Sequence, residues 1–526
     1  MAAQVPVILL VSDEYGSFKG GISTINCQAS QTLQGKAVVY CTVLQLKVPE
    51  QDQEAADRDG VTLIRPDPRG RKTEPTLEWL TYYHHQHFPN LPKNVTCIIG
   101  HADITDTAAR NIKDDRYPYA DLIMFTHVLP GDTEYYKGGR KAMKAREKEK
   151  DMLDKVDRAK AVFSVGMRIY LHFHSKYRGG KKPQSHHIFL PKPSEMFLDA
   201  YVSPWGGEKV VLSIGRVRKV EKLKGHDLVG ESMREVVKII KNVRLRVRGI
   251  SEDDWKTRQK ILEDALNSPD LNPSLLPYGT QEEIRDDIMM AHLVLMPSRS
   301  EPFGLVGLEA IAAGIPVLIS DKTGLAEMIL GLIGEGKLSA EHRHVIVETG
   351  VSDRNRAGDA ERWAKRIVDI LQHSDSEFEK AARLKRELLE SRYWEESHNA
   401  FLQACGVTGE VPVEVLLRGP EMASLYATAC RQGSLPVYST RVPVVGQFRS
   451  GKTCFIKRLM GETVSGDPEE KEPITDGINI ISDVQSKTWK KSKEEDVEMT
   501  GTLQQDTEEA PEATLEEVIA VELFPL

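Results

Sequence analysis

Two carboxylates, Glu301 and Glu309, flank a short loop in the segment Ser-Arg-Ser-Glu-Pro-Phe-Gly-Leu-Val-Gly-Leu-Glu-Ala at residues 298–310. An apolar run precedes the loop, Pro302 and Gly304 tighten it, and a helix-forming stretch follows it. This pattern predicts a strand, a loop and a helix, with both carboxylates near the edge of a parallel sheet where ligands bind. An ordinary βαβ unit with solvated carboxylates is the simpler interpretation of these residues alone.

A second group of candidate residues is basic. Arg216 follows a predicted strand at residues 209–214, and Lys224 comes eight residues later. An arginine and a lysine at the end of a strand and in the loop after it could neutralise a diphosphate. Ordinary surface charge is the alternative, because three further basic residues stand between them.

A glycine pair and two histidines mark the first third of the chain. Gly20 and Gly21 lie between a predicted strand and a predicted helix, where backbone N–H groups can approach a phosphate or a sugar closely. His101 and His127 each end a predicted strand, where an imidazole can bind a sugar hydroxyl or transfer a proton. A flexible turn and structural capping of buried turns are the alternatives.

Strands and helices that alternate along the chain must position these residues. The predicted strands of the first third are residues 5–11, 37–43, 61–64, 95–100, 121–126 and 161–166. This alternation predicts a doubly wound α/β domain. A second domain of the same kind follows a proline-containing connector at residues 190–193. We therefore predict an N-terminal Rossmann-like domain at residues 1–200 and a second one at residues 201–405.

The composition excludes several classes of protein. The 526 residues carry a net charge of -8, which argues against a general nucleic-acid-binding protein. The six cysteines are scattered without a Cys-x-x-Cys pair, which favours a reduced setting over a disulfide framework or a zinc site. No apolar run approaches the length of a membrane span. We predict a cytoplasmic protein without a transmembrane segment.

Four motifs occur in an order and spacing that resemble a known family. They are Gly20-Gly21-Ile22, the strand that ends at His101, Gly215-Arg216 with Lys224-Gly225, and Glu301-Pro302-Phe303-Gly304-Leu305 with Glu309. Over residues 4 to 405 the chain resembles the retaining family 4 (group 1) glycosyltransferases, which include relatives of sucrose-phosphate synthase and glycogen synthase. The resemblance implies the GT-B fold, in which two Rossmann-like α/β domains face each other across a cleft.

The resemblance also implies a nucleotide-diphosphate sugar donor, an acceptor that it does not identify, and transfer without a metal, a cofactor or a protein nucleophile. It implies that Arg216 and Lys224 hold the diphosphate and that Glu309 binds the ribose. Glu301 and His101 would then contact the transferred sugar. The predicted catalytic residues are Glu301, His101, Arg216 and Lys224. The predicted donor-binding residues are Gly20, Gly21, Arg216, Lys224, Glu301, Phe303, Gly304, Leu305 and Glu309.

A separate nucleotide motif lies in the last third. Residues 446–453, Gly-Gln-Phe-Arg-Ser-Gly-Lys-Thr, complete a P-loop between a predicted strand and a predicted helix. In such a loop Lys452 reaches the β- and γ-phosphates and Thr453 ligates Mg²⁺. The predicted binding residues are Gly446, Ser450, Gly451, Lys452 and Thr453. With Thr475 downstream, the motif resembles the Ras-like GTPase domains of Roco-type proteins, which implies GTP, Mg²⁺ and protein partners.

The parts that a competent GTPase needs after its P-loop are missing from the sequence. Neither Asp-x-x-Gly nor Asn-Lys-x-Asp follows, so we predict no GTP hydrolysis here, as in a truncated module. We divide the remainder into a linker with a helix (406–440), a partial P-loop module (441–490) and an acidic tail (491–526). The tail is predicted to be disordered because of its charge and low complexity.

Two functions therefore remain open. The first is a retaining glycosyltransferase fused to an incomplete GTP-binding module. The second is a catalytically inactive signalling or scaffold protein that binds a nucleotide-sugar without turnover. The intact carboxylate pair with Arg216 and Lys224 favours the first, and the fusion to a P-loop module favours the second.

Overall fold

A computed structural model describes most of the chain and places it in two compact units, Met1–Leu417 and Arg418–Leu526. The described residues are 5–16, 20–68, 74–137, 143–177, 182–199, 207–215, 223–250, 255, 259–260, 264, 273–352, 355–407, 439–441, 479–485 and 518–523. No described helix is both long enough and apolar enough to cross a membrane.

Seven parallel strands form the first sheet. They are β1 (Val7–Leu10), β2 (Val38–Thr42), β3 (Val61–Ile64), β4 (Cys97–His101), β5 (Asp121–Thr126), β6 (Ala161–Val165) and β7 (Ser185–Phe189). Their order is β3-β2-β1-β4-β5-β6-β7. The helices of this region are α1 (Gly21–Leu33), α2 (Glu50–Arg58), α3 (Leu77–Thr81), α4 (His84–His87), α5 (Asp106–Arg116), α6 (Pro130–Lys137), α7 (Ala145–Asp154), α8 (Met167–His174) and α9 (Glu195–Leu198).

Six parallel strands form the second sheet. They are β8 (Lys209–Ile214), β9 (Val243–Ile250), β10 (Ser274–Pro277), β11 (Leu293–Met296), β12 (Val317–Ser320) and β13 (Ile346–Val347). Their order is β10-β9-β8-β11-β12-β13. The helices here are α10 (His226–Ile239), α11 (Gln281–Met289), α12 (Leu305–Ala313), α13 (Gly324–Gly334), α14 (Arg356–Gln372), α15 (Ser374–Glu390) and α16 (Glu395–Ala404), with a 3₁₀ helix at Ala340–Val345.

The chain reverses its direction of winding once in each sheet, between β1 and β4 and between β8 and β11. Ligands of doubly wound sheets bind in the crevice at such a switch point, beyond the carboxyl ends of the strands. The two parallel sheets confirm the predicted α/β class with two Rossmann-like domains. The strand, loop and helix predicted around Glu301 and Glu309 are also confirmed, since β11 and α12 flank this loop.

Among the described residues of the first unit, the last helix, α16, returns to the first sheet. Phe401 of α16 lies edge-on to Phe125, Phe163 and Phe189, with ring centroids 5.4 to 5.7 Å away. Just before this helix, the Tyr393 hydroxyl donates a hydrogen bond to the Pro191 carbonyl at 2.6 Å. The domain limits at residues 200 and 405 stay predictions, and α16 belongs by its packing with the first sheet.

The second unit contains a small sheet of three strands, β14 (Ser439–Arg441), β15 (Asn479–Gln485) and β16 (Val518–Leu523), in the order β14-β16-β15. Strand β16, with the sequence Val-Ile-Ala-Val-Glu-Leu, is rich in residues that favour strands. The predicted disorder of residues 491–526 stays a prediction. The predicted P-loop at residues 446–453 lies outside the described residues, as do its flanking strand and helix.

Candidate functional site

A cavity of about 420 Å³ lies in the cleft between the carboxyl ends of the two sheets. Eight of the nine predicted donor-binding residues line it: Gly20, Gly21, Lys224, Glu301, Phe303, Gly304, Leu305 and Glu309. The ninth, Arg216, lies outside the described residues. Elements distant in the sequence, after β1, β8 and β11, thus contribute to one site.

Lys224 and Glu301 contact each other inside this cavity. The Lys224 Nζ lies 2.5 Å from the Glu301 Oε2, and the Ser298 hydroxyl donates to the same oxygen at 3.3 Å. The main chain of Glu301 is also held, since its N–H donates to the Lys322 carbonyl and its carbonyl accepts from the Gly324 N–H. The carboxylate and the ammonium therefore form one preorganised group on the second sheet.

Glycines fix the loops that carry this pair. Gly225 has a φ of 73°, and a Cβ there would lie 2.2 Å from the Pro297 carbonyl oxygen, just after β11. Gly304 has a φ of 115°, and a Cβ there would lie 2.7 Å from the Met296 Cε. Both positions need glycine for the backbone conformation and for the close approach. The loops after β8 and β11 can therefore pack directly on one another.

Two helix N-termini meet across the cleft. A Cβ on Gly21, the first residue of α1, would lie 3.4 Å from the Leu305 Cδ1 at the start of α12. Neither helix has a side-chain cap or an acidic residue in its first turn. Uncapped N–H groups and the positive ends of two helix dipoles favour an anion between them. A diphosphate is the kind of group that fits this place.

Glu309 lies one turn into α12 and is 8% exposed. Burial raises the pKa of its carboxyl group to about 8. The residue lines both the cleft cavity and a neighbouring cavity of about 290 Å³. Burial makes ionisation of this carboxyl group unfavourable. Hydroxyl groups of a ligand would offset this cost, because hydrogen bonds stabilise the ionised form.

The two strand-end histidines form a hydrogen-bonded chain. The Nε2 of His101 lies 3.1 Å from the Asn26 Oδ1, and its Nδ1 lies 2.9 Å from the His127 Nε2. Because an amide oxygen only accepts, His101 donates to Asn26 and accepts from His127. Burial lowers the pKa of His101 to about 4, and the pKa of His127 is also well below its usual value for the same reason. Both rings are therefore neutral.

His127, rather than His101, faces the cavity. His101 is 1% exposed, and both of its ring nitrogens are occupied by Asn26 and His127. A direct contact of His101 with a sugar stays a prediction, and the geometry favours His127 for that contact. The two histidines carry the same strand-end signal in the sequence, so only the packing of α1 against β4 distinguishes them.

Arg168 of α8 links the two domains beside the cavity. Its guanidinium donates to the Lys322 carbonyl at 2.6 Å and to Asp132 Oδ2 at 3.1 Å. The Ser300 hydroxyl, next to Glu301, donates to the same Asp132 oxygen at 3.2 Å. These bonds join the loop of Glu301 to α6 and α8 of the first domain. The sequence does not predict this link, because no local pattern marks it.

The cavity wall formed by the ends of β9 and β10 contains a buried arginine. Alternating arginines at the end of β9 suggest an exposed face, yet Arg248 is 6% exposed and lines the cavity. Its guanidinium contacts the buried Asp287 of α11 and donates to the Pro277 carbonyl at 3.3 Å. Tyr278 stands beside it in the same wall. Neither residue is among the predicted site residues.

Curated proteins and solved structures resemble parts of this chain. D-inositol 3-phosphate glycosyltransferase from Segniliparus rotundus is 33% identical over 132 residues, which cover 24% of this chain and 28% of that protein. The chain thus matches less than a third of the length of this relative. Sucrose-phosphate synthase from Thermosynechococcus elongatus superimposes with a TM-score of 0.54 at 16% identity, covering 76% of this chain and 98% of that structure.

A further solved structure is that of a complex with a sugar nucleotide. The Anabaena protein HepE, in complex with UDP-glucose, superimposes with a TM-score of 0.51 at 14% identity, covering 78% of this chain and 100% of that structure. These two likenesses show the GT-B fold. The family model described as Family 4 Glycosyltransferase in conflict systems matches residues 9–401. The chain belongs to this family of glycosyltransferases.

Proposed function

We propose that the first unit transfers a sugar, with retention of configuration, from a nucleotide-diphosphate sugar to an acceptor hydroxyl. The observation that carries this proposal is the contact of Lys224 with Glu301 in a cavity that both helix N-termini border. Cationic groups that could bind a diphosphate lie there beside a carboxylate that could bind a sugar. The family of the chain supports the same reaction class.

The cationic side of the site stabilises the leaving group. As the bond between the anomeric carbon and the β-phosphate oxygen breaks, negative charge grows on the nucleotide diphosphate. Lys224 and the first N–H groups of α12 would stabilise that charge, and the resemblance implies the same role for Arg216. Preorganised charge of this kind commonly accelerates a reaction more than any other single effect.

The carboxylate side of the site orients the sugar. Glu301 and His127 would accept hydrogen bonds from its hydroxyls, and Glu309 would bind the ribose. The acceptor oxygen forms its bond on the face from which the diphosphate leaves. The acceptor proton passes to the departing phosphate oxygen, so atoms and charge balance without a protein nucleophile.

A donor screen on the full chain tests this proposal. UDP-, GDP- and ADP-sugars are incubated with the protein, and the released nucleoside diphosphate is measured with and without candidate acceptor alcohols. Lys224→Met and Glu309→Gln should strongly reduce this release. Lys337→Met, at an exposed pair with Glu335 in the same domain, is the matched control and should retain it. Donor binding without release across all acceptors would favour the inactive scaffold instead.

We also propose that the second unit binds GTP with Mg²⁺ through residues 446–453. The complete P-loop sequence Gly-Gln-Phe-Arg-Ser-Gly-Lys-Thr supports this proposal. Titration of the full chain with a fluorescent GTP analogue tests it. Binding should require Mg²⁺, should disappear in Lys452→Ala and should persist in the exposed control Lys337→Met. Equal binding by the Lys452→Ala variant would exclude the P-loop as the site.

A further inference from the structure

A cluster of metal-ligating side chains lies away from the cleft, where α4 meets the end of α5. It consists of His84, His85 and Asp115, and their ligand atoms all lie within 4.8 Å of one another. Helix α5 follows β4, which ends at the cleft, and its 11 residues extend about 16 Å back along the sheet. Asp115 is in the last turn, so the cluster belongs to the opposite edge of the sheet.

His84 is the unusual member of the cluster. Its side chain is 1% exposed, yet neither ring nitrogen makes a hydrogen bond of good geometry with any described residue, although the Leu80 main chain is close. Buried polar groups are nearly always paired, because leaving one unpaired costs about 1–3 kcal/mol. The ring nitrogens of His84 are therefore available to bind a ligand that is not part of the protein.

The geometry around His84 suits a small cation. The His84 Nε2 lies 3.4 Å from the Asp115 Oδ2. Two ligands of a tetrahedral zinc ion, at bond lengths near 2.0–2.1 Å, stand about 3.3 Å apart. His85 adds a second imidazole, with its ring centroid 4.5 Å from that of His84. Two imidazoles with one carboxylate form a donor set typical of zinc and its neighbours in the periodic table.

The backbone around the cluster is held firmly. The Arg116 guanidinium donates to the Phe88 carbonyl at 2.8 Å, and the Asn111 amide donates to the Thr81 carbonyl at 2.8 Å. These two bonds tie α5 to the chain on either side of α4. His87, by contrast, stacks on Trp79 with ring centroids 3.6 Å apart, and its Nδ1–H donates a hydrogen bond to the Asp67 carbonyl. Its role in packing needs no metal.

A second cluster of this type in the described part of the chain does not call for a metal. It consists of Glu341, His342 and Glu387. The His342 Nε2 lies 2.9 Å from the Glu387 Oε2, and the same oxygen accepts the Ser339 N–H at 2.8 Å. The protein itself already pairs the Nε2 of this imidazole with this carboxylate. His84 differs from His342 in that neither of its ring nitrogens makes a hydrogen bond of good geometry with a described residue.

We propose that His84, His85 and Asp115 bind one divalent transition-metal ion of the zinc class, with water in the remaining coordination position. The ion fastens α4 to α5 and has a structural role, since the cluster is remote from the cleft. This site is independent of the proposed glycosyl transfer.

Metal analysis of the full chain, prepared without a polyhistidine tag, tests the proposal. The protein is stripped with a chelator, titrated with Co²⁺ and Zn²⁺, and exchanged into metal-free buffer. We expect the unmodified chain to retain one equivalent more Zn²⁺ than a His85→Gln/Asp115→Asn variant. Its Co²⁺ form should show the intense visible bands of tetrahedral or five-coordinate cobalt. Both substituted side chains are exposed, so the variant should fold normally.

A matched control comes from an exposed histidine–aspartate pair. The His373 Nδ1 also lies 3.4 Å from an aspartate oxygen, that of Asp369, on the surface of the second domain. His373→Gln/Asp369→Asn should bind metal like the unmodified chain. Loss of two of three ligands should weaken Co²⁺ affinity by more than the roughly 10- to 100-fold that outer-shell changes cost. Equal Zn²⁺ content in the unmodified chain and the His85→Gln/Asp115→Asn variant would overturn the proposal.

Discussion

The Nζ of Lys224 and the Oε2 of Glu301 lie 2.5 Å apart, although the two residues are 77 positions apart in the chain. The family resemblance implies that Lys224 binds the diphosphate of a donor and that Glu301 contacts its sugar. Their contact means that each charge holds the other in place before a donor arrives. In the proposed function, a donor phosphate would share the ammonium with the carboxylate, and this sharing would couple the two halves of the site.

Removal of either charge should impair transfer more than binding. Lys224→Met should reduce kcat by about 100-fold or more, because it removes a cation that meets charge developed in the transition state. Glu301→Gln should also reduce kcat, since Lys224 loses the group that orients it. Steady-state release of nucleoside diphosphate, with the donor identified in the screen, measures both effects.

The surface pair Lys337 and Glu335, 2.8 Å apart, is the control for this prediction. Lys337→Met and Glu335→Gln should leave kcat within about twofold, since exposed ion pairs contribute little. In a double-mutant cycle the effects of Lys224→Met and Glu301→Gln should be strongly non-additive. Simple additivity would contradict the idea that the two residues act as a unit.

The raised pKa of Glu309 makes stability depend on pH in a defined direction. The folded carboxyl has a pKa of about 8, against about 4.5 when unfolded. Between these values the folded chain holds a proton that the unfolded chain has lost. Stability therefore falls as pH rises from 4.5 to 8, by at most about 1.4 kcal/mol per pH unit from this group.

Glu309→Gln should remove that dependence. The variant should be more stable than the unmodified chain at about pH 8 and similar to it near pH 4.5, as measured by urea unfolding. The hydroxyls of a bound ribose should favour the ionised carboxylate, so nucleotide binding near neutral pH should release a proton. Calorimetry in buffers of different ionisation enthalpy detects this release, which Glu309→Gln should abolish. Proton release that persists in the variant would contradict the assignment.

Asn26 should control the proton positions of the histidine pair. Its side-chain oxygen accepts from His101, which in turn accepts from His127. In Asn26→Leu nothing fixes which ring nitrogens carry the protons, so His127 can present a protonated Nδ1 to the sugar instead of an accepting one. We expect about a tenfold loss of kcat and a loss of about 1–3 kcal/mol of stability from the unpaired imidazole.

Nitrogen chemical shifts of the histidine rings check this prediction directly, because they distinguish Nδ1–H from Nε2–H tautomers. Asn111→Leu is the control, since Asn111 of α5 donates a comparable bond to the Thr81 carbonyl, away from the cleft. It should lose stability without changing the tautomers of His101 and His127. Unchanged ring shifts in Asn26→Leu would rule out the positioning role.

The sequence was informative where local pattern and function coincide. The loop around Glu301 combines an apolar strand, two turn formers and a helix in one continuous stretch, so its structure and its place at the sheet edge are predictable. Eight predicted donor-binding residues meet in one cavity for the same reason. They lie in the loops that follow strands or in the first turns of helices, and parallel sheets bring such positions together.

The sequence was uninformative where a role depends on distant neighbours. His101 and His127 share one local signal, yet only contact with Asn26 of α1 turns the first into a support for the second. Arg248 of strand β9 looks exposed in an alternating pattern, but Asp287 of helix α11 neutralises it inside the domain. Arg168 joins two domains through a main-chain carbonyl, which carries no residue-specific signal at all.

Gly225 should be required for both stability and activity, and a second glycine makes this testable. Gly225 and Gly336 have nearly the same conformation, with φ of 73° and 72°. A Cβ at position 336 would meet no described atom within 4 Å, whereas at position 225 it would lie 2.2 Å from the Pro297 carbonyl oxygen. The pair therefore separates the cost of a left-handed conformation from the cost of a clash.

Gly336→Ala should lose only the conformational part, about 1–2 kcal/mol, and should keep full kcat. Gly225→Ala must in addition push the loop of Lys224 away from the strand end at Pro297. It should lose at least about 2 kcal/mol more, and kcat should fall because the ammonium moves relative to Glu301. Urea unfolding and donor turnover on the two variants measure both effects. Equal losses of stability with equal turnover would show that the two loops are free to move apart.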